Sequence, residues 1–315
     1  MLAAIIPVSL MAHLKGDVPT VTDGRVLGHE GVGIVDEIGA AVTTFKKGDR
    51  VIVSCITSCG RCDACKRAMY SHCANGGWIL GNTIDGTQAE YVRIPFADTS
   101  LYAVPALADE DALVMLSDIL PTGFECGVLS GAVKPGDSVA IVGAGPVGLA
   151  ALLTAQLFSP AEIVVIDLDD NRLEVAKSFG ASQVINSKDG KAVERVMRIT
   201  KNVGVDVAIE AVGTPATFEL CADLVAAGGH LANIGVHGKS AELKLQRLWD
   251  RNITITTRLV DTVSTPMLLK TLLAGKLNPK RLITHEFKLG EMMKAYDTFA
   301  NAAKETSLKV IIRAE

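Results

Sequence analysis

The sequence predicts an α/β fold in which a doubly wound parallel sheet is joined to a second, mainly β domain. Three observations carry this prediction. From Lys134 onward, six short β patterns are interleaved with helical ones. The first of those strands runs into a glycine turn and then directly into a helix. The first third of the chain instead shows brief apolar–polar alternation broken by Gly-rich turns, the texture of a β domain. The boundaries drawn on this basis are 1–118 for the β domain, with a cysteine lobe at 55–75, then 119–265 for the parallel sheet. A closing segment, 266–315, is expected to return to the first domain.

Within the β domain, Ile34–Gly39 and Asp49–Val53 read as strands joined by the Lys46–Asp49 turn, with Glu90–Ile94 and Leu101–Val104 as further strands. Asp109–Leu116 reads as the first helix. In the parallel sheet, strands are expected at Ser138–Val142, Glu162–Ile166, Gln183–Ile185, Val205–Glu210, His230–Ile234 and Ile253–Thr256. Helices are expected at Arg172–Phe179, Ala192–Thr200 and Thr217–Leu224. The tail offers helices at Pro266–Ala274 and Gly290–Ala303, and a last strand at Leu308–Ile312.

Composition narrows the classes. A length of 315 residues suffices for two domains with buried cores. A net charge of -4 gives no electrostatic case for nucleic acid or an anionic membrane, and 4% aromatics offer little for base stacking. Met1–Ala12 is apolar but lacks the basic start of a secretory signal, so the cytoplasm is the expected compartment. Val139–Phe158 is uncharged and long enough to raise a membrane span, against which stand its three glycines and proline.

The glycine turn is the sharpest motif. Ser138–Gly148 reads S-V-A-I-V-G-A-G-P-V-G, with Gly143, Gly145 and Gly148 at G-x-G-x-x-G spacing around Pro146 and Val147. Gly143 permits the tight turn, Gly145 lets backbone approach a pyrophosphate, and Gly148 lets helix and strand pack closely. The helix start then offers free N–H groups to phosphate. About twenty residues on, Asp167 ends the next strand, where a carboxylate accepts from a ribose 2′-OH and repels a 2′-phosphate. NAD is therefore expected rather than NADP.

Two clusters have metal-ligand chemistry. Cys59, Cys62, Cys65 and Cys73 follow C-x2-C-x2-C-x7-C, which suits a closed, structural tetrahedral zinc. An iron–sulfur cluster needs the same ligand count and stays open as an alternative. Cys55, Cys126 and Cys221 read as small core residues, and His72 as a solvated loop residue. The second cluster is His29 and Glu30 in G-H-E-x2-G-x5-G-x2-V, with Asp118 further on. One imidazole and two carboxylates could form an open site, although on spacing alone a His and a Glu in a β turn read as solvated residues.

Taken together, G-H-E-x2-G-x5-G-x2-V, the four-cysteine lobe and G-A-G-P-V-G resemble the zinc-dependent medium-chain alcohol dehydrogenases, from about Leu14 to the C-terminus. The resemblance implies a Rossmann domain beside a GroES-like catalytic domain that is N-terminally truncated. It puts His29, Glu30 and Asp118 on catalytic-zinc positions and Ile56 and Trp78 on pocket-lining ones. Asp167 and Arg172 match adenosine-ribose contacts, and Val212, Gly213, Ile234, Gly235 and Val236 match segments along the coenzyme. Asp118, where many relatives carry Cys, points to the branch acting on small primary and secondary alcohols. The implied activity is hydride transfer between such an alcohol and NAD in a homodimer or homotetramer.

The front departs from the family pattern. Relatives carry a Cys-Gly-Thr/Ser-Asp segment whose Cys is a zinc ligand; counting back from Lys15 puts Pro7 at that position and Ser9 at the hydroxyl position. The first thirteen residues therefore read as unrelated to the family, with His13 a candidate replacement ligand. The expectation is weak or absent turnover with NAD binding retained. The rival readings are a non-catalytic or mis-started NAD-binding form, and a formaldehyde or polyol dehydrogenase of the same superfamily. Formaldehyde dehydrogenases carry longer insertions than this chain holds, and a zinc-free quinone reductase is disfavoured by both metal motifs.

Overall fold

The computed structural model describes residues 1–6, 18–106 and 108–314. It divides into two compact units, one of Met1–Pro121 with Val260–Glu315 and one of Thr122–Leu259.

The first unit opens with β1 (Ala3–Ile5), β2 (Gly31–Ile34), β3 (Arg50–Val53) and β4 (Leu101–Ala103). Strands β2, β3 and β4 pair antiparallel in sequence order. The Lys46–Asp49 turn is closed by Asp49 itself, whose side chain accepts from the Lys46 backbone N–H at 3.0 Å. Of the strand expected at Ile34–Gly39, only Ile34 belongs to a strand. The strand expected at Glu90–Ile94 is corrected: that stretch has no ladder among the described residues. Alternation marks a stretch able to pair, but a strand also needs a neighbour whose backbone groups are free.

In the second unit, β5 (Ser138–Val142), β6 (Glu162–Asp167), β7 (Gln183–Asn186), β8 (Val205–Glu210), β9 (Val225–Asn233) and β10 (Thr254–Thr257) form one sheet in the order β10-β9-β8-β5-β6-β7. Every pair is parallel. The order reverses between β5 and β8, which makes their carboxyl ends the switch point where ligands bind in doubly wound sheets. The near-continuous apolar run of β5 has a simple cause: Val139, Ala140, Ile141 and Val142 are all buried, covered on both faces. The Val139–Phe158 stretch is split into β5, a turn and the helix Pro146–Ala155, and no described helix is long and apolar enough to cross a membrane.

After the chain returns to the first unit, β11 (Ile283–Lys288) and β12 (Lys309–Arg313) complete the sheet β11-β12-β1-β2-β3-β4. The strand β1 sits in the middle, antiparallel to β12 (Ala4↔Ile312) and to β2 (Ala4↔Gly31). It is buried throughout, so it shows an apolar run instead of alternation. The helix Met292–Ala300 covers this sheet through Ala295 and Phe299 against Ile6, Val310 and Ile312. Strand β11 was not expected from the sequence, although its residues alternate between half-buried and exposed.

Candidate functional site

The first cluster is built where β2 begins. Gly28 has φ +96°, which bends the chain so that His29 and Glu30 turn inward. The segment Thr87–Gln88 braces that bend. Thr87 donates its backbone N–H to the Gly28 carbonyl at 2.9 Å and its hydroxyl to the Glu30 carbonyl at 2.8 Å. Asp118 follows the helix Glu110–Val114, and the neighbouring Ser117 carbonyl accepts from the Cys55 N–H at 3.0 Å. The ligand atoms of His29, Glu30 and Asp118 all lie within 4.8 Å of one another. His29 Nε2 is 3.0 Å from Asp118 Oδ2.

Glu30 is fully buried, and its Oε1 accepts from Lys309 Nζ at 2.7 Å, with neither side chain exposed at all. The other oxygen, Oε2, is buried without a hydrogen-bond partner. Burial pushes the Glu30 carboxyl above its ordinary range; the Lys309 ammonium pulls against that shift and the Asp118 carboxylate adds to it. Two carboxylates, an imidazole and an orphaned buried oxygen inside one small radius form a donor set suited to a divalent cation such as zinc.

Trp78 meets His29 from the other side, its indole N–H donating to Nδ1 at 3.2 Å with the rings edge to face. Ile56 is buried just after β3. Thr57 and Gly77 exchange backbone hydrogen bonds at 2.9 and 2.7 Å, which holds the stretches carrying Ile56 and Trp78 side by side.

The four lobe cysteines also gather within 4.8 Å, with Cys62 Sγ at 3.5 Å from Cys65 Sγ and 4.0 Å from Cys73 Sγ. Four Zn–S bonds of about 2.3 Å in a tetrahedron set the sulfurs roughly 3.8 Å apart, so the lobe already has the size of a zinc site. Polar N–H groups point at sulfur: Cys59 N at 3.2 Å from Cys73 Sγ, and Asn75 Nδ2 at 3.4 Å from Cys59 Sγ. The Arg61 N–H and the Asn75 amide draw the Cys59 thiol down to about 6, whereas burial pushes Cys65 up to about 12. The lobe is tied down by Ser71, whose N–H and hydroxyl both donate to Asp261 Oδ1 at 2.9 and 2.6 Å. Cys55, Cys126 and Cys221 are buried apart from this cluster, and His72 is exposed.

In the second unit, the glycine turn sits at the switch point. Gly143 has φ +105°, and a Cβ there would meet Val212 Cγ2 at 2.6 Å. A Cβ on Gly148 would lie 1.8 Å from the Gly143 carbonyl oxygen, so the helix can approach β5 this closely only with glycine. Gly145 caps the helix Pro146–Ala155, and among the described residues the one atom within 4 Å of its absent side chain is Arg172 Nη1 at 3.9 Å. This leaves an open cradle lined by first-turn N–H groups, beginning with Val147, beside a guanidinium.

Asp167 closes the cradle. Its Oδ2 accepts from Ala144 N at 2.6 Å, and its Oδ1 accepts from Leu168 N and Asp169 N at 2.7 and 2.9 Å. At the end of β8, the buried Glu210 carboxylate accepts from Val212 N and Gly213 N, each at 2.9 Å. The Glu210 carbonyl accepts from Ile234 N and Gly235 N at 2.8 and 3.2 Å. Val212 and Val236 stand exposed at this end of the sheet, 48% and 80% respectively, as apolar surface awaiting cover.

Residues 2–106 match the alcohol dehydrogenase GroES-like domain and residues 146–273 the zinc-binding dehydrogenase domain. An alcohol dehydrogenase of Cupriavidus necator is 34% identical over 95% of this chain and 87% of its own length. The chain belongs to the zinc-dependent medium-chain alcohol dehydrogenases. Among other relatives, the NADP-dependent isopropanol dehydrogenase of Thermoanaerobacter brockii is 32% identical over 99% of this chain and 93% of its own. The apo form of zinc dependent alcohol dehydrogenase 2 from Streptococcus pneumonia superposes with a TM-score of 0.96 at 53% identity, covering 100% of this chain and 90% of that one.

For this dehydrogenase the match from residue 2 and the strand β1 correct the reading of the first thirteen residues as unrelated to the family. Pro7, Ser9 and His13 lie outside the described residues. The structure brings His29, Glu30 and Asp118 into one cluster, with Trp78 against it, and the four lobe cysteines into another. Two residues were missed by sequence reasoning. Glu210 ties both strand-end segments of the cradle, and Lys309 faces Glu30. The signal for Lys309 was a lone lysine in the otherwise apolar run L-K-V-I-I, since a lysine is almost never fully buried without a partner.

Proposed function

We propose that this dehydrogenase moves hydride between a small primary or secondary alcohol and NAD at the centre formed by His29, Glu30 and Asp118. The observation that carries the reading is the buried N/O cluster with its orphaned Glu30 Oε2. Zinc held there would supply a Lewis acid for the alcohol oxygen, and a bound nicotinamide coenzyme would supply the hydride acceptor. The chain's own residues do the rest. His29 Nε2 and one oxygen from each of Glu30 and Asp118 are the donors. Lys309 holds Glu30 through Oε1, so Oε2 is the oxygen that would serve as the donor. Glu30 Oε2 is itself buried, out of reach of solvent. With two carboxylates, one imidazole and no thiolate among the described donors, the centre donates less charge than a cysteine-bearing one, and turnover is slow.

The coenzyme preference rests on Asp167. Its carboxylate at the end of β6 accepts from a ribose 2′-OH and opposes a 2′-phosphate, while Arg172 beside Gly145 adds positive charge for the pyrophosphate. The Thermoanaerobacter brockii relative is named NADP-dependent, so the preference is argued from this chain's own residue. Replacing Asp167 by serine removes one charged acceptor, worth about 1.5–3 kcal/mol. The expected result is an approximately 10- to 100-fold fall in kcat/KM for NAD with a gain for NADP, measured by steady-state kinetics on both coenzymes.

An assembly of two or four copies is supported by the open edge of β10 and by Trp249, 78% exposed just before it. A reducing compartment such as the cytoplasm is supported by the thiol lobe. The test of the proposal is NADH formation from a panel of short alcohols with zinc present. Metal-dependent NADH formation supports it. Saturable NAD binding with no NADH from any alcohol favours the non-catalytic coenzyme-binding reading.

A further inference from the structure

We propose that Glu210 is a positioning residue for the nicotinamide half of the coenzyme, fixing the two strand-end segments that receive it; this rests on the reading of the glycine turn as an NAD site. Sheets that bind dinucleotides are built of two halves, one for each nucleotide. Here β5, β6 and β7 form one half, and Asp167 at the end of β6 marks it as the adenosine side. The other nucleotide is left with β8, β9 and β10. Glu210 is the last residue of β8, the strand that adjoins the switch point.

Glu210 fastens one segment with its side chain and the other with its backbone. Its Oε1 accepts from Val212 N and Gly213 N at 2.9 Å each and has the Thr217 hydroxyl at 2.7 Å. Its carbonyl accepts from Ile234 N and Gly235 N, beyond the end of β9. The two segments then interlock on glycine. A Cβ on Gly235 would lie 2.2 Å from Gly213 N and 2.3 Å from Glu210 Oε2, and one on Gly213 would lie 2.3 Å from the Val236 carbonyl oxygen. Val212 is thereby held against the glycine turn, its Cγ2 2.6 Å from where a Gly143 Cβ would stand. Its side chain is still half exposed, a wall of the cradle open to a ligand.

Stability alone does not account for a carboxylate at this position. Glu210 is wholly buried, and its Oε2 has no hydrogen-bond partner. Among the described residues no lysine or arginine pairs with it, and His237 Nε2, 3.5 Å from Oε2, is hydrogen-bonded to Asn233 Oδ1 at 2.9 Å instead. Burying a polar oxygen unsatisfied costs stability, and an apolar side chain would avoid that cost. No apolar side chain could accept from Val212 and Gly213, however. The carboxylate supplies the fixed course of the two segments on the nicotinamide side.

The test compares wild type with Glu210→Gln, which keeps the shape and one acceptor but loses the carboxylate. Binding of NAD and of 5′-AMP, which carries the adenosine half alone, is read by calorimetry on the full chain. NAD is expected to bind roughly 3- to 10-fold more weakly to the variant, the difference between a charge-assisted and a neutral hydrogen bond. AMP affinity is expected to stay within about twofold, since the adenosine half lies apart from the change. A merely structural glutamate moves both ligands together or neither.

Hydrogen exchange on the coenzyme-free wild type supplies a second readout that needs no variant to fold. The Val212 and Gly213 amides are expected to exchange slowly, although both lie outside any helix or strand. Fast exchange at both overturns the proposal. So does unchanged NAD affinity in a folded Glu210→Gln, or an equal loss of NAD and AMP, with the coenzyme reading left intact. If the wild type binds no NAD, the coenzyme reading falls and this proposal with it.

Discussion

Replacing Lys309 by methionine is expected to destabilise the protein by about 3–5 kcal/mol, the cost of removing one partner from a buried ion pair. The ammonium lies 2.7 Å from Glu30 Oε1, and both side chains are wholly inaccessible. Methionine fills much the same volume but leaves a carboxylate buried in apolar surroundings, beside a second carboxylate, Asp118, within 4.8 Å. Pairing Lys309→Met with Glu30→Gln is expected to restore most of the loss, because the uncompensated charge is then gone. Denaturant midpoints of the two single variants and the double variant measure this. A Lys309→Met midpoint within error of wild type would show that the pair contributes nothing.

The second large effect is on chemistry. With His29→Ala the centre loses the one nitrogen donor among its described residues, and NADH formation from short alcohols is expected to fall about 1,000-fold or more. That corresponds to roughly 4 kcal/mol of lost stabilisation, in keeping with what a Lewis-acid metal contributes. NAD affinity is expected to stay within about twofold, since Gly143–Gly148 and Asp167 belong to the compact unit Thr122–Leu259 and His29 does not. Steady-state kinetics with a coenzyme titration separate the two effects. A parallel loss of NAD affinity and turnover would mean that the substitution unfolds the protein.

How much of this was legible in the sequence follows from how local each signal is. The observed β5 (Ser138–Val142) and β8 (Val205–Glu210) have the bounds expected from sequence, because parallel strands buried on both faces show themselves as apolar runs closed by turn residues. The glycine turn was equally legible, since its three glycines stand at fixed spacing between one strand and the helix that follows it, and Gly148 packs on the Gly143 carbonyl oxygen of that same unit.

The β unit was harder because its sheet is knit from the two ends of the chain, Ala3 against Arg313. Nothing local in A-A-I announces that partnership, and nothing in the alternating Glu90–Ile94 shows that a ladder partner is lacking among the described residues. At the site, His29, Glu30 and Asp118 were recognisable by motif. What surrounds them was not: Lys309 and Trp78 reach His29 and Glu30 only through tertiary folding, and Trp78 read from sequence as pocket lining alone.

Two groups of side chains are placed to hold a metal, a four-thiol lobe and the His29–Glu30–Asp118 cluster, and both are proposed to carry zinc in one chain. Zinc counted per chain, after equilibration and removal of loose ions, tests it most directly. Two zinc ions are expected in the wild type, and one each in His29→Ala and Cys62→Ala. A single zinc in the wild type, unchanged by His29→Ala, would contradict the claim.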